Sequence, residues 1–205
     1  MIVFVLAVDE NFGIGKGDGL PWSFKKDMQF FKALTEGFQV AIGRKTWKAI
    51  KEPSKGLPGR RKIVISNCEL EDAYEQLGGG HDTLHFRSTS EIVSFARSEK
   101  PESTIMVIGG KQLYESLYEH VDFAVVTQVH GKFDCDVFVD SALQKLLPKP
   151  MVSYKVNDIN RVTQNPVELS FTIFGNKNAT RVPEPLCKAW WDAFYSVKEW
   201  FEPAN

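Results

Sequence analysis

Two unbroken apolar runs, Val3-Phe4-Val5-Leu6-Ala7-Val8 near the start and Ile105-Met106-Val107-Ile108 midway along, constrain the fold more than any other feature. A strand with one face in water alternates apolar and polar residues, whereas a strand covered on both faces has no need to. Other β-rich runs recur at Val40–Ile42, Lys62–Ser66, Thr83–Phe86, Phe123–Val129 and Glu168–Phe174, with helical patterns between most of them. This alternation predicts an α/β fold: one mostly parallel central sheet, helices on both faces, and right-handed crossovers. Between the last two runs lies no helical pattern but a long polar loop around residues 157–166, so they are expected to add antiparallel at an edge.

The helices fall in the gaps. Ser23 is placed to cap a helix over Phe24–Thr35, with Phe24, Met28, Phe31 and Leu34 as its apolar stripe. Lys45–Ile50, Glu91–Arg97 and Lys111–Tyr118 supply others. After Phe174 the composition turns to Gly175-Asn176-Lys177-Asn178, and Pro183-Glu184-Pro185 introduces a last segment. There Leu186, Trp190, Ala193, Phe194, Val197 and Phe201 follow helical spacing until Pro203. The expected organisation is a catalytic domain over residues 1–176 and an extension over 177–205, whose amphipathic helix spans about 186–201 and lies outside the sheet domain.

With 205 residues, 43% of them apolar, the chain can bury one sizeable core. A formal net charge of −1, with Lys and Arg scattered, leaves no electrostatic footprint for nucleic acid or an anionic membrane. Any anion must be held locally. The opening residues lack a basic stretch and a cleavage pattern, and no run approaches the ~20 apolar residues of a membrane span. Cys68, Cys135 and Cys187 are odd in number and far apart, which argues against a disulfide framework and for a reducing, cytoplasmic setting. His81 and His85 sit four apart, but on loop and strand rather than on a helix, so no metal pair is expected.

Three stretches carry candidate chemistry. Gly13-Ile14-Gly15-Lys16-Gly17-Asp18-Gly19-Leu20-Pro21-Trp22 reads as a glycine-rich lid with a stiff apolar tip, or as an ordinary surface loop. Asp27, in the first turn of its helix, is either a solvent-facing partner of the helix dipole or a carboxylate in an apolar cleft, able to pair with an amidine-like N–C–N edge. Gly43-Arg44-Lys45-Thr46 and Ile108-Gly109-Gly110-Lys111-Gln112 each follow a buried strand and open a helix, so each offers backbone N–H groups to an anion. Two such turns suit a ligand with separated phosphates, although the G-x-G-x-x-G fingerprint is absent.

In order and spacing, Ala7-Val8-Asp9, Gly13-Ile14-Gly15, Leu20-Pro21-Trp22, Asp27, Phe31, Thr35, Gly43-Arg44-Lys45-Thr46-Trp47, Leu57-Pro58-Gly59-Arg60, Ser66, Ile108-Gly109-Gly110, Tyr114, Thr127 and Asp136-Val137-Phe138 closely resemble the dihydrofolate reductases. The resemblance spans roughly residues 2–175. Gly17–Trp22 with Lys25-Lys26-Asp27 and Thr35-Glu36-Gly37 looks most like bacteriophage members, which implies the host cytoplasm as the setting. The resemblance implies hydride transfer from NADPH to dihydrofolate. Asp27, supported by Thr127, would hold the pterin's 2-amino group and N3. The carbonyls of Val5 and Ile108 would complete its hydrogen bonds, and Leu6, Met28, Phe31 and Ile50 would flank the substrate. Arg60 would pair with the α-carboxylate of the glutamate tail. Leu20 and Trp22 belong to the implied lid, which would control proton delivery from solvent.

On the implied cofactor side, Ala7, Ile14, Thr46 and Tyr114 would surround the nicotinamide and its ribose. Lys45, Gly110, Lys111 and Gln112 would meet the pyrophosphate, and Gly15, Gly43, Arg87, Gly109 and Leu113 would also bind the cofactor. Arg44, with Ser66 and Asn67, would hold the 2′-phosphate, which favours NADPH over NADH. Departures from the family are an apparent three-residue insertion between Pro53 and Gly59, Cys135 where glycine is common, and a tail without counterpart.

Two rival readings remain. A pyrimidine reductase of riboflavin synthesis shares the fold but lacks this carboxylate. A non-catalytic folate- and nucleotide-binding scaffold would use its tail for assembly, and Trp190, Trp191, Phe194, Trp200 and Phe201 motivate it. Those rings either cover the chain's own domain or form a surface for self-association or a protein partner.

Overall fold

The computed structural model describes residues 1–54, 57–67, 83–98, 104–140, 143 and 148–198. Cys68, His81, Trp200 and Phe201 lie outside them. The strands are β1 (Ile2–Val8), β2 (Gly13–Gly15), β3 (Gln39–Gly43), β4 (Arg61–Ile65), β5 (Thr83–Phe86), β6 (Ile105–Val107), β7 (Phe123–Val129), β8 (Val137–Phe138), β9 (Lys149–Ile159) and β10 (Pro166–Gly175). The helices are α1 (Lys25–Thr35), α2 (Arg44–Ser54), α3 (Thr89–Ser98), α4 (Lys111–Leu117) and α5 (Glu184–Val197).

Eight strands form one sheet in the order β5-β4-β3-β6-β1-β7-β10-β9. From β5 through β7 the neighbours are parallel, whereas β10 runs antiparallel to β7 and β9 antiparallel to β10. The two apolar runs are adjacent: Ile2, Val3 and Phe4 of β1 pair with Ile105, Met106 and Val107 of β6. Both lie in the sheet's interior, so both faces of each must be covered. Alternate residues serve the two sides. Val3 and Val5 pack in a core with α1 and α5, while Ile2, Phe4, Leu6 and Val8 pack in a second core with α3 and α4.

Several expectations need correction. Strand β9 was not among the expected runs; it takes up the start of the loop expected around residues 157–166, so the irregular turn before β10 shortens to residues 160–165. Its alternation of Val152, Tyr154 and Val156 with polar residues is the signature of an edge strand with one wet face. Ser23 does not cap α1. The N-cap residue is Phe24, with no side-chain cap of its own. An acceptor comes from elsewhere: Asp158 on β9 takes the Lys26 N–H at 2.7 Å, while Ser23 is tied through its backbone to Asn160 and Arg161.

Of the expected stripe, Leu34 and the N-cap Phe24 are buried, whereas the rest of the buried face of α1 is Asp27, Phe30 and Thr35 and not Met28 and Phe31. At ~100° per residue, positions 27, 30 and 34 share one face and point at the sheet. Met28 is 56% exposed and Phe31 half-buried, both on the flank that faces the cleft. Helix α5 lies outside the sheet but packs closely against α1, burying Leu186, Ala189, Trp190, Ala193, Phe194 and Val197 in the same core. Trp191 and Tyr195 stay on its wet side.

Candidate active site

The parallel strands all end on one edge, and their C-termini open into a cleft of ≈ 1400 Å³. A pocket for one small molecule is typically about 300–1,000 Å³, so this cleft has room for two ligands side by side. The chain leaves β1 toward β3, β4 and β5 on one flank, returns through β6, and crosses to β7 on the other. Such a reversal leaves a crevice at the strand ends.

On one wall stands Asp27. Its side chain is buried, Thr127 hydrogen-bonds the carboxyl group, and the pKa is raised from 3.8 to about 6. Burial is the leading cause, since removing water disfavours the charged form. The Thr127 hydroxyl works against that rise, and the negative charge of Asp158 adds to it. Around Asp27 the cleft is lined by Val5, Leu6, Met28, Phe31, Ile50, Ile108 and Thr127. Tyr114, on α4, donates its buried hydroxyl to the Val5 carbonyl at 2.7 Å, and burial holds that phenol well above its ordinary pKa. The hydroxyl is therefore a neutral donor, and the Val5 oxygen keeps a second lone pair.

The opposite wall is made of strand ends. The Gly43 N–H donates to the Gly109 carbonyl at 2.7 Å, which ties the two glycine turns together. The Gly109–Gly110 peptide is cis, and Gly109 has φ +131°, a conformation that side chains resist. A Cβ on Gly110 would fall 2.7 Å from the Thr46 hydroxyl. Bare backbone is thus presented at the starts of α2 and α4, where N–H groups lack helical partners. Arg44, Lys45, Thr46, Ser66, Asn67, Arg87, Lys111, Gln112 and Leu113 continue the lining, with Arg44, Lys45, Arg87 and Lys111 as exposed cations. A glycine cradle with flanking cations fits a pyridine dinucleotide carrying an additional phosphate.

The lid sequence borders the same cleft. Ala7, Ile14, Gly15 and Leu20 line it, and Leu20 is 46% exposed at its tip. The base of this loop is held down: β2 pairs with β8, the Gly17 N–H reaches the Asp136 carboxylate at 3.0 Å, and Lys16 pairs with Asp134. Cys135 packs on Gly13, where a Cβ would come within 2.4 Å of its Sγ.

Two expected residues stand apart from the lining. Trp22 is buried behind the cleft, edge-on to Phe133 at 5.2 Å. Arg60 is buried too, and its guanidinium donates to the Thr35 hydroxyl and to the carbonyls of Pro58 and Lys32. Those bonds use three of its five N–H groups, and its charge sits 5.9 Å from the Phe31 ring, next to the cleft. Unforeseen lining residues include Phe30, Val125, Ser88 and Thr89. Signals existed for them. Phe30 is three residues from Asp27 on a helix, Val125 is two from Thr127 on a strand, and Ser88-Thr89 opens a helix directly after a strand.

A family model described as dihydrofolate reductase matches residues 1–174. The chain belongs to the dihydrofolate reductase family. Its relatives include the dihydrofolate reductase of Bacillus subtilis, 29% identical over 184 residues that cover 88% of this chain and 98% of the relative. The type 9 dihydrofolate reductase of Escherichia coli is 33% identical, covering 89% of this chain and 97% of its own. That of Schistosoma mansoni is 35% identical, covering 65% and 75%. Among solved structures, the Enterococcus faecalis dihydrofolate reductase complexed with NADP(H) and RAB-propyl superposes with a TM-score of 0.72 at 21% identity, over 87% of this chain and 97% of that one. The family model stops short of α5. No helix among the described residues is long and apolar enough to cross a membrane, and no group of three or more metal-ligating side chains occurs among them.

Proposed function

We propose that this chain is an NADPH-dependent dihydrofolate reductase. The observation that carries the reading is the Asp27 carboxyl, buried yet facing a cleft whose other wall is the pair of glycine turns at Gly43 and Gly109-Gly110. The reaction adds a hydride at the pterin C6 and a proton at N5. NADPH, when bound, supplies the hydride. The protein contributes orientation and exclusion of water.

Asp27, with Thr127 behind it, takes the N–C–N edge of the pterin as a paired acceptor, and the Val5 and Ile108 carbonyls complete the pterin's hydrogen bonds. Leu6, Met28, Phe31 and Ile50 hold the rings and the aminobenzoyl group. Arg60 places its remaining N–H groups toward the glutamate tail, at the Phe31 end. Gly43, Lys45, Gly109, Gly110, Lys111 and Gln112 receive the pyrophosphate, and Ala7, Ile14, Gly15, Thr46, Leu113 and Tyr114 the nicotinamide ribose. Arg44, Ser66, Asn67 and Arg87 take the adenosine end, where Arg44, Ser66 and Asn67 select the 2′-phosphate. Leu20, with Trp22 behind it, closes the rim and governs access of the solvent proton to N5.

The Gly17–Trp22 run with Lys25-Lys26-Asp27 supports a bacteriophage source, with the reaction in the host cytoplasm. Of the rings that motivate the scaffold alternative, Trp190 and Phe194 are buried in the chain's own core, Trp191 is exposed, and Trp200 and Phe201 lie outside the described residues. Loss of NADPH absorbance on adding dihydrofolate, measured beside NADH, tests the proposal. No consumption of either nucleotide by folded protein would refute it.

A further inference from the structure

We propose that helix α5 forms the back wall of the substrate half of the cleft, with Trp190 as a positioning residue that holds Phe30, and through it Asp27, in register. The inference rests on the reductase reading above and adds an element to its site. Its basis is one row of side chains across the sheet. In register, Ala7 of β1 faces Thr127 of β7, Thr127 faces Phe171 of β10, and Phe171 faces Tyr154 of β9. Directly opposed residues put their side chains on the same face of a sheet. This row therefore runs from the cleft to the tail under α1 and α5.

Beyond Ala7, each member meets one partner above it. Thr127 holds the Asp27 carboxyl group. Phe171 stacks on Phe30 at 4.1 Å and 18°. Tyr154 meets Phe194 of α5 edge-on at 4.5 Å. Phe30 then closes the circuit: it lines the cleft, sits one turn after Asp27, and takes the edge of Trp190 at 6.3 Å and 80°. Trp190 in turn stacks on Phe194 at 5.6 Å and 7°. From the tail helix to the cleft is a distance of one phenyl ring. The Trp190 indole N–H has no acceptor among the described residues, so ring area and geometry hold it.

The same layout predicts selectivity. α5 packs most closely on α1, the helix of Asp27, and none of its residues enters the core around α3 and α4. The glycine turns at Gly43 and Gly110 belong to β3, α2, β6 and α4, with which α5 makes no comparable packing, although Val40, Ile42, Trp47 and Met106 share its core. Loosening Trp190 should therefore disturb dihydrofolate and spare NADPH.

The test uses the full-length chain with Trp190→Leu, Trp190→Phe, and Lys188→Gln as a control on the wet side of the same helix. NADPH and dihydrofolate affinities come from calorimetric titration, and kcat and KM for dihydrofolate are measured across pH. Trp190→Leu should weaken dihydrofolate binding and raise its KM about tenfold, as a small misplacement of a binding group does. It should also move the inflection of kcat/KM toward acid as water reaches Asp27, with NADPH affinity within about twofold. Trp190→Phe, which keeps a ring against Phe30, and Lys188→Gln should match the wild type. Unchanged dihydrofolate binding and pH profile in Trp190→Leu would overturn the proposal. So would equal loss of NADPH binding, because α5 would then support the whole fold and not one half of the cleft. A wild-type protein that binds NADPH but leaves dihydrofolate unreduced would instead refute the enzyme reading itself.

Discussion

Replacing Asp27 by asparagine should stabilise the protein at neutral pH while abolishing most of its activity. Folded, the carboxyl group titrates at about 6 rather than 3.8, chiefly because it is buried. Between those two pH values the folded chain retains a proton that the unfolded chain has released. Stability is therefore greatest below the unfolded value, falls as pH rises through the window, and stays lower above it. At about 1.36 kcal/mol per pH unit the gap amounts to about 3 kcal/mol. Asparagine has the same shape, does not titrate, and still offers the Thr127 hydroxyl an acceptor. For a chain of this size about 2–4 °C of Tm accompanies each kcal/mol, so the variant should melt about 6–12 °C above wild type at pH 7.5. Near pH 4 the difference should vanish. Scanning calorimetry of both proteins from pH 4 to 8 reads this directly. Dihydrofolate turnover at neutral pH should fall by at least about 100-fold, with NADPH affinity retained. A melting difference independent of pH, or a less stable variant at pH 7.5, would show that burial of a charge at position 27 is not what the fold tolerates for function.

Arg44→Ala should weaken NADPH about 10- to 100-fold, the worth of a charge-assisted phosphate contact, and NADH hardly at all; equal losses for both nucleotides would place the 2′-phosphate elsewhere. Gly110→Ala sets a Cβ 2.7 Å from the Thr46 hydroxyl, so NADPH affinity should drop about tenfold and recover in part in the Gly110→Ala, Thr46→Ala double variant. Calorimetric titration of the single and double variants checks it, and additive losses would argue against the clash. Asp158→Asn keeps an acceptor for the Lys26 N–H but removes the charge that raises the Asp27 pKa. Its kcat/KM profile should inflect at lower pH than wild type, and an unchanged inflection would mean that solvent screens this pair.

Strands buried on both faces declare themselves, because nothing but an apolar run can occupy them. Ile2–Val8 and Phe123–Val129 have the ends that their sequences predict. Strand β9 is less legible since its partner exists only on one side. Lys155 and Asn157 lie on its wet face, Asp158 breaks the apolar alternation on the other, and Pro150 interrupts its start. The apolar stripe of α1 misleads for a functional reason. Asp27 occupies a position in the buried arc that packing alone would give to an aliphatic residue, while Met28 and Phe31 serve the cleft instead of the core. Local patterns conflict with burial where a site has been built into the fold.

The cleft residues are scattered from Val5 to Thr127, yet their convergence follows from one rule: parallel strands deliver their C-termini to the same edge, and each crossover starts its helix there. Glycine turns after β3 and β6 can therefore be paired before any coordinates exist. What the rule does not reach is the antiparallel end of the sheet. β9 and β10 arrive by a hairpin, so Phe171 and Tyr154 join the Ala7–Thr127 row through cross-strand register, which a one-residue slip would reverse. Register is also what puts Phe171 under Phe30 and Tyr154 under α5. The wall that carries Asp27 thus depends on pairings more than 40 residues apart in sequence, whereas the wall of glycine turns is assembled from short strand-to-helix turns. That difference explains why the glycine-turn residues could be read one turn at a time, and why the contacts of Phe30 with Phe171 and Trp190 emerge only when the sheet is laid out row by row.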